Sequence, residues 1–61
     1  MDVVEKINNH LKEIDRTVGW LSRMTGYNYN TLYSALVKRS MGLTDERLEV
    51  INYILGTKFR K

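Results

Sequence analysis

Residues 17–36 read TVGWLSRMTGYNYNTLYSAL, and this stretch decides the fold that we predict for the chain. Gly26 interrupts it, and glycine adopts the left-handed conformation that ends a helix more easily than any other residue. Thr17 and Asn28 are suitable helix N-caps, because their side-chain oxygens can accept hydrogen bonds from amides of the first turn. The stretch therefore predicts two short helices joined by a turn that begins at Gly26.

Amphipathic helices are predicted on both sides of this stretch. Apolar residues at helical spacing precede it: Val4, Ile7, Leu11 and Ile14. A second such stripe follows it: Leu48, Ile51 and Leu55. Asp2 and Thr44 are suitable N-caps for the two flanking helices, and Gly56 ends the second. We therefore expect one compact all-α domain over residues 1–61, with four helices or five. The predicted helices lie at about residues 2–15, 18–25, 29–38 and 44–55. A tail at 57–61 follows, as a short extended arm or a disordered segment.

The composition of the chain narrows the class of protein. Because the 61 residues include no cysteine, disulfides and thiolate metal sites are excluded. No apolar run approaches the roughly 20 residues that span a bilayer, and the N-terminus lacks the basic region of a secretory signal. One histidine and solvated carboxylates at helix ends do not suggest an active site, so we expect no enzyme and no cofactor or metal. We expect a cytoplasmic protein without a membrane partner or a small-molecule effector.

Charge is distributed unevenly along the chain, whose net charge is +3. Residues 16–43 carry four cations and no acid, whereas residues 1–15 and 44–57 each have a net charge of −2. A basic block between two acidic helices predicts a surface directed at a polyanion. The alternative is that these four cations are simply solvated.

Three residues of the central stretch have the spacing that a helix-turn-helix requires. Ser22 is a small residue in the helix at 18–25, where the helix at 29–38 must cross it closely. Gly26 permits the turn between these two helices, and Leu32 is a large apolar residue that anchors the helix at 29–38. A turn one residue longer, with Trp20 and Met24 directed inward, also fits the pattern. We prefer the register in which Ser22 is inward, and Trp20 then covers a flanking helix or lies in a partner interface.

The segment LSRMTGYNYNTLYSAL resembles the helix-turn-helix of the lambda-repressor/Cro-like (Xre-type) family. That family shows a leucine followed by a small residue, a glycine four positions later and an aliphatic residue six positions further on. The matching residues are Leu21, Ser22, Gly26 and Leu32. With the flanking helices, the resemblance covers roughly residues 2–56. Thr25 departs from it, because the position before the glycine is usually aliphatic, and Trp20 occupies a position that is usually polar.

The resemblance implies a sequence-specific DNA-binding transcriptional regulator, of the phage or prophage Cro-like repressor type, in a bacterial or phage-infected cell. The helix that starts at Tyr29 would lie in the major groove of double-stranded DNA. Its candidate base contacts are Asn28, Tyr29, Asn30, Tyr33 and Ser34. Asparagine can pair with adenine, and a tyrosine ring can touch a thymine methyl group. The candidate phosphate contacts are Arg16, Thr17, Arg23, Lys38 and Arg39. The alternatives are that the tyrosines cover the core, that Asn28 is only a cap, and that Lys38 and Arg39 are solvated.

Such domains usually bind as dimers, because one copy makes too few contacts for useful specificity. We therefore expect a homodimer on DNA. Its candidate interface consists of surplus apolar residues: Val50, Tyr53, Ile54 and Phe59. These side chains could equally close the core of the monomer. The competing function is a small helix-turn-helix protein that binds another protein, as an antirepressor or an inhibitor of a regulator. A recognition helix that lacks arginine and is surrounded by tyrosines favours that alternative.

Overall fold

The computed structural model describes residues 2–61, and Met1 lies outside the described residues. Within this range the helices are α1 (Val3–Glu13), α2 (Val18–Thr25), α3 (Tyr29–Tyr33) and α4 (Asp45–Leu55), and α3 continues directly into a π-helical segment (Ser34–Lys38). The described residues include no strand, and the predicted all-α domain of four helices is confirmed. Among the same residues, no helix is both long enough and apolar enough to cross a membrane.

Each helix begins directly after the N-cap that the sequence predicts. The four side chains that accept a hydrogen bond from an amide in the first helical turn, at 2.8 to 3.2 Å, are Asp2, Thr17, Asn28 and Thr44. Each bond satisfies an amide that has no partner within the helix, and such caps stabilise the start of a helix. Gly26 and Gly56 follow α2 and α4 in the left-handed conformation, with φ of +80° and +68°.

The first helix ends two residues earlier than the sequence predicts. Asp15 adopts a left-handed conformation with φ of +57°, and the Arg16 amide donates to the Leu11 carbonyl at 2.8 Å. This pattern closes a helix, so Ile14 stands outside α1 and is 39% exposed. Val4, expected in the inner stripe, is only partly buried. The buried stripe of α1 consists of Val3, Ile7 and Leu11.

One apolar core joins the helices. Its largest fully buried side chains are Ile7, Leu21, Leu32, Leu36 and Ile51. They come from all four helices and from the π-helical segment. Burial of a side chain of this size stabilises the fold by about 1.5 to 3 kcal/mol. In the described part of the chain, no buried side-chain nitrogen or oxygen lacks a hydrogen-bond partner. The core therefore holds α3 against α2, which in turn packs against α4.

The end of the π-helical segment is fastened to α1 at two points. The Asn8 side-chain amide donates to the Leu36 carbonyl at 2.9 Å, and carbonyls at the end of a helix otherwise lack helical donors. The Arg39 guanidinium donates to the Asp2 carboxylate at 2.8 and 3.4 Å, although Arg39 itself has a left-handed backbone with φ of +56°. Both contacts fix the direction in which α3 and its continuation point.

The Asp2 carboxylate is expected to make the fold sensitive to acid. Its hydrogen bond from the Glu5 amide, and then the Arg39 guanidinium, lower the pKa of Asp2 below its ordinary value of 3.8. A carboxyl whose pKa is lowered by folding contributes stability above its unfolded pKa, and this contribution is lost as pH falls through the folded pKa.

Thermal unfolding followed by circular dichroism should therefore show a shallower fall of Tm below about pH 4 in Asp2→Asn than in the wild type. The effect is small, because the Arg39 and Asp2 side chains are 46% and 52% exposed. Identical falls in the two proteins would contradict the assignment.

The tail after α4 folds back onto the domain, whereas the sequence predicts an extended arm or a disordered segment. The Asn52 side chain accepts hydrogen bonds from the Phe59 amide at 2.9 Å and from the Thr57 hydroxyl at 2.8 Å. It also donates to the Phe59 carbonyl at 2.9 Å. The Phe59 ring packs against the core and makes an edge contact with the His10 ring, with 5.9 Å between ring centroids. The tail therefore bridges α4 and α1.

Asn52→Ala is expected to lower the free energy of unfolding by about 1 to 3 kcal/mol, because it removes three partly buried hydrogen bonds. Urea denaturation measures this loss, and hydrogen exchange at the Phe59 amide should accelerate. Glu49→Ala is the matched control: Glu49 lies on the same helix and is exposed, so the loss of stability in this variant should stay within about 0.5 kcal/mol. Equal losses for the two variants would contradict the role of Asn52.

Candidate nucleic-acid interface

The register of α2 follows the preferred prediction. Leu21 is fully buried and Ser22 is 7% exposed, whereas Met24 is 51% exposed. The Ser22 hydroxyl donates to the Gly19 carbonyl at 2.8 Å, so this small polar residue is satisfied inside the core. The alternative with a longer turn requires Met24 to point inward and is therefore wrong. Trp20 is half-buried against the core, with the Arg16 guanidinium 5.3 Å from the centre of its ring.

The turn between α2 and α3 tolerates Thr25 because its hydroxyl bonds to the backbone on both sides. It donates to the Leu21 carbonyl at 2.9 Å and accepts from the Tyr27 amide at 3.3 Å. The hydroxyl thus gives the Tyr27 amide a hydrogen-bond partner that an aliphatic side chain could not supply. Gly26 supplies the left-handed conformation, and a Cβ added there would meet nothing within 4 Å. Gly26 is therefore required for its backbone and not for close packing.

The base-contact candidates lie together on the outer side of α3. Asn28, Tyr29 and Asn30 are exposed, and Tyr33 and Ser34 are half-buried. The Asn28 side-chain oxygen is occupied, since it accepts the Asn30 amide at 2.8 Å as the N-cap. Asn28 is thus a structural cap whose carbonyl oxygen is committed. The side chain of Asn30 therefore suits a hydrogen bond to a base edge better than that of Asn28.

Two of the three central tyrosines form an outer aromatic pair. The rings of Tyr29 and Tyr33 have centroids 5.5 Å apart and planes inclined by 33°. Lys38 Nζ lies 5.8 Å from the centre of the Tyr33 ring. A Cβ added at Gly19 would be 3.8 Å from Tyr29 Cε1, so the Tyr29 ring leans over the first turn of α2. Tyr27 differs, because it packs against the core, as the alternative for the tyrosines expected.

The phosphate-contact candidates fall into two groups around this face. Arg23 and Lys38 accompany the aromatic pair, since Arg23 Nη1 lies 4.0 Å from the position of an added Gly19 Cβ. Arg16, Thr17 and Arg39 line a groove of about 470 Å³ between α1, the start of α2 and the end of the π-helical segment. All five are exposed, but the Arg39 side chain is paired with Asp2. Arg39 therefore has a structural role as well.

Lys12 is a residue of this groove that the sequence does not single out. It lies on the polar side of α1, outside the basic block of residues 16–43. The fold brings it into the groove that Arg16 and Arg39 line, and the lining of that groove includes three cations and no acid. The turn after α1, in which Asp15 adopts the left-handed conformation, lies between Lys12 and Arg16 in the chain.

The candidate dimer residues divide between the core and the surface. Ile54 and Phe59 pack against the core of the monomer, as the alternative to a dimer interface expected. Val50 is half-buried, and Tyr53 is 85% exposed on α4. Tyr53 is therefore the member of the set that is most available to a partner, and dimerisation stays a prediction.

The chemistry of this face suits recognition through hydrogen bonds, apolar contact and charge. Among the described residues, no group of three or more histidine, aspartate or glutamate side chains could hold a metal ion. Comparison with protein-family models, with curated proteins and with solved structures gives no significant match. The functional assignment therefore depends on the geometry and charge of the α2–turn–α3 unit.

Proposed function

We propose that this protein is a sequence-specific DNA-binding transcriptional regulator, of the Cro-like repressor type, which inserts the outer face of α3 into the major groove. One observation carries the proposal: Ser22 of α2 and Leu32 of α3 are buried, while Tyr29 and Asn30 at the start of α3 are exposed. A helix held in this way from behind, with polar and aromatic residues in front, is suited to contact base edges.

Charge supports the same proposal. Residues 16–43 contain no acidic side chain, so the whole α2–turn–α3 unit is free of groups that repel phosphate. Arg23 and Lys38 lie beside the aromatic pair, and Arg16 with Lys12 lies in the groove next to the start of α2. Contacts from these cations to phosphates would set the position of α3 on the duplex, whereas Asn30 would select the base.

The regulator acts as a homodimer on paired half-sites, in the cytoplasm of a bacterial or phage-infected cell. One copy exposes few base-contacting side chains, and two copies joined by symmetry double the number of contacts. Tyr53, exposed on α4, is the residue around which we place the dimer contact. A sedimentation-equilibrium measurement that gives a monomer both alone and with a full site would contradict this part of the proposal.

The competing function is binding to another protein through the same face. It is favoured by the exposed apolar side chains around α3, among them Tyr29, Val37 and Met41, which are 44 to 48% exposed. The two functions differ in their dependence on salt. Binding to DNA releases counterions from the duplex, whereas a largely apolar protein interface does not.

Fluorescence anisotropy with a labelled duplex tests the proposal. The affinity for DNA should fall steeply as salt rises, with a slope of about one unit on logarithmic axes for each phosphate contacted. Four contacts give a slope of about −4, and further contacts make it steeper. No binding to any duplex at low salt, together with capture of a protein partner that is insensitive to salt, would contradict the proposal.

Lys12→Ala is expected to reduce the slope of affinity against salt by about one unit, because it removes one phosphate contact from the groove. Its effect on affinity should be similar for a specific site and for random DNA. Lys6→Ala is the matched control, since Lys6 is an exposed lysine of the same helix and does not line the groove. If the slope of affinity against salt changed equally in the two variants, Lys12 would not be a phosphate contact.

A further inference from the structure

An apolar ridge follows the outer face of α3 into the π-helical segment. It consists of Tyr29, Tyr33 and Val37, which follow one another at intervals of four residues through α3 and the π-helical segment; Val37 also lines the groove beside Lys12 and Arg16. Tyr29 is 47% exposed and Val37 is 48% exposed, while Tyr33 lies half-buried between them and contacts the ring of Tyr29. Val37 is not one of the base-contact candidates that the sequence predicts. The ridge therefore adds one residue to that set.

The surroundings of the apolar ridge indicate what it contacts. Arg23 lies near the Tyr29 end and Lys38 lies over the Tyr33 ring, and no acidic residue occurs between positions 16 and 43. The ridge has apolar side chains along its middle and cations beside them. It is therefore complementary to a surface that has small apolar groups between two rows of negative charge. The DNA major groove is such a surface, because thymine places its 5-methyl group there between the phosphate backbones.

The ridge is also held in place before any partner binds. The Tyr29 ring leans over the Gly19 side of α2 and packs against Tyr33, and Lys38 approaches the Tyr33 ring. Side chains held in this way lose little conformational freedom on binding. No arginine is present among the base-contact candidates, so the side chain that most often selects guanine is missing from α3.

We propose that the ridge of Tyr29, Tyr33 and Val37 selects DNA by contact with the 5-methyl groups of thymine, and that these methyl groups carry a substantial part of the sequence specificity. This inference rests on the proposed function and specifies the class of base that the same site recognises. It assigns Val37 a role in specificity beside Asn30, which selects adenine through hydrogen bonds.

Replacement of thymine by uracil in the bound DNA tests the inference, because it removes the methyl group and leaves the base pair unchanged. The duplex is the site obtained by selection from random DNA, with each thymine replaced in turn, and the affinity is measured by anisotropy. At two or more positions we expect replacement by uracil to lower the affinity about fourfold. This is the effect that burial of one methyl-sized group predicts.

Val37→Ala identifies which thymine methyl group the Val37 side chain contacts. In this variant the penalty for uracil should disappear at one of the sensitive positions and persist at the others. Met41→Ala is the matched control, since Met41 is 44% exposed and lies beyond the π-helical segment. It should leave every penalty unchanged. Both side chains are exposed, so neither change threatens the fold, and circular dichroism verifies this.

The outcomes separate the inference from the proposed function. Specific binding that is insensitive to uracil at every position would overturn the role of the ridge and leave the DNA-binding function standing. A penalty that Val37→Ala and Met41→Ala reduce equally would also overturn it. Absence of binding to any duplex would overturn the proposed function, and the inference with it.

Discussion

Asn30→Ala is expected to weaken binding to the selected DNA site by about tenfold to a hundredfold, which corresponds to the loss of one well-placed pair of hydrogen bonds to a base. Asn30 is exposed on the outer side of α3, and it is the Asn30 backbone amide that bonds to the Asn28 cap. The substitution therefore leaves the cap intact, and alanine is a better helix former than asparagine. Binding to random DNA should change by less than about twofold.

Lys38→Ala is the control for this prediction, measured by anisotropy under the same salt conditions. Lys38 lies over the Tyr33 ring at the end of the helical segment and is exposed to solvent. Because a phosphate contact carries no direct sequence information, its loss should weaken the selected site and random DNA to a similar extent. If Asn30→Ala reduced both affinities equally, Asn30 would be a general contact and not a selector of bases.

Leu32→Ala is expected to lower the free energy of unfolding by about 2 to 5 kcal/mol. Leu32 is fully buried and anchors α3 against α2. A domain of this length has a total stability of only about 3 to 9 kcal/mol, so this variant should lose most of its folded population at moderate temperature. Urea denaturation and the thermal midpoint both measure the loss.

Met24→Ala is the matched control for Leu32→Ala, and it tests the register of α2 as well. Met24 is 51% exposed, so its truncation should change the free energy of unfolding by less than about 0.5 kcal/mol. With a longer turn, Met24 would lie in the core and its truncation would cost several times more. A loss in Met24→Ala as large as that in Leu32→Ala would therefore contradict the geometry of the α2–turn–α3 unit.

Helix starts were predictable because their causes are local. Asn28 caps α3 through an amide two residues away, and Thr17 caps α2 through an amide three residues away. A cap needs only a side chain of the right kind at the right distance along the chain, so the sequence contains the whole interaction. The inward position of Ser22 was predictable for a similar reason, since Gly26 follows it by one helical turn.

The features that escaped prediction depend on residues far apart in sequence. Asn8 bonds to the carbonyl of Leu36, which is 28 residues away, and Lys12 and Arg39 line the same groove because α1 packs against the π-helical segment. Asn52 reaches across seven residues to bond both backbone groups of Phe59, in a tail whose sequence has no helical period. No periodicity or spacing signals such contacts, because nothing local distinguishes these polar residues from solvated ones.

Arg39 illustrates how the fold changes the interpretation of a charge. In the sequence, Arg39 is one of four cations in the basic block, and nothing distinguishes the four as phosphate contacts. In the structure its guanidinium is 2.8 Å from the Asp2 carboxylate, so a phosphate must compete with an existing partner. Lys12, which lies outside the block, is therefore expected to contribute at least as much to DNA binding as Arg39.

Selection of bound sequences from a pool of random DNA duplexes is the most direct test of the central claim, that the outer face of α3 recognises specific DNA. We expect enrichment of a short motif rich in adenine and thymine, present as two inverted copies with centres about 10 base pairs apart or a multiple of this distance. Asn30→Ala should abolish the preference at one position of each copy. A selected pool that is indistinguishable from the starting pool would contradict the claim.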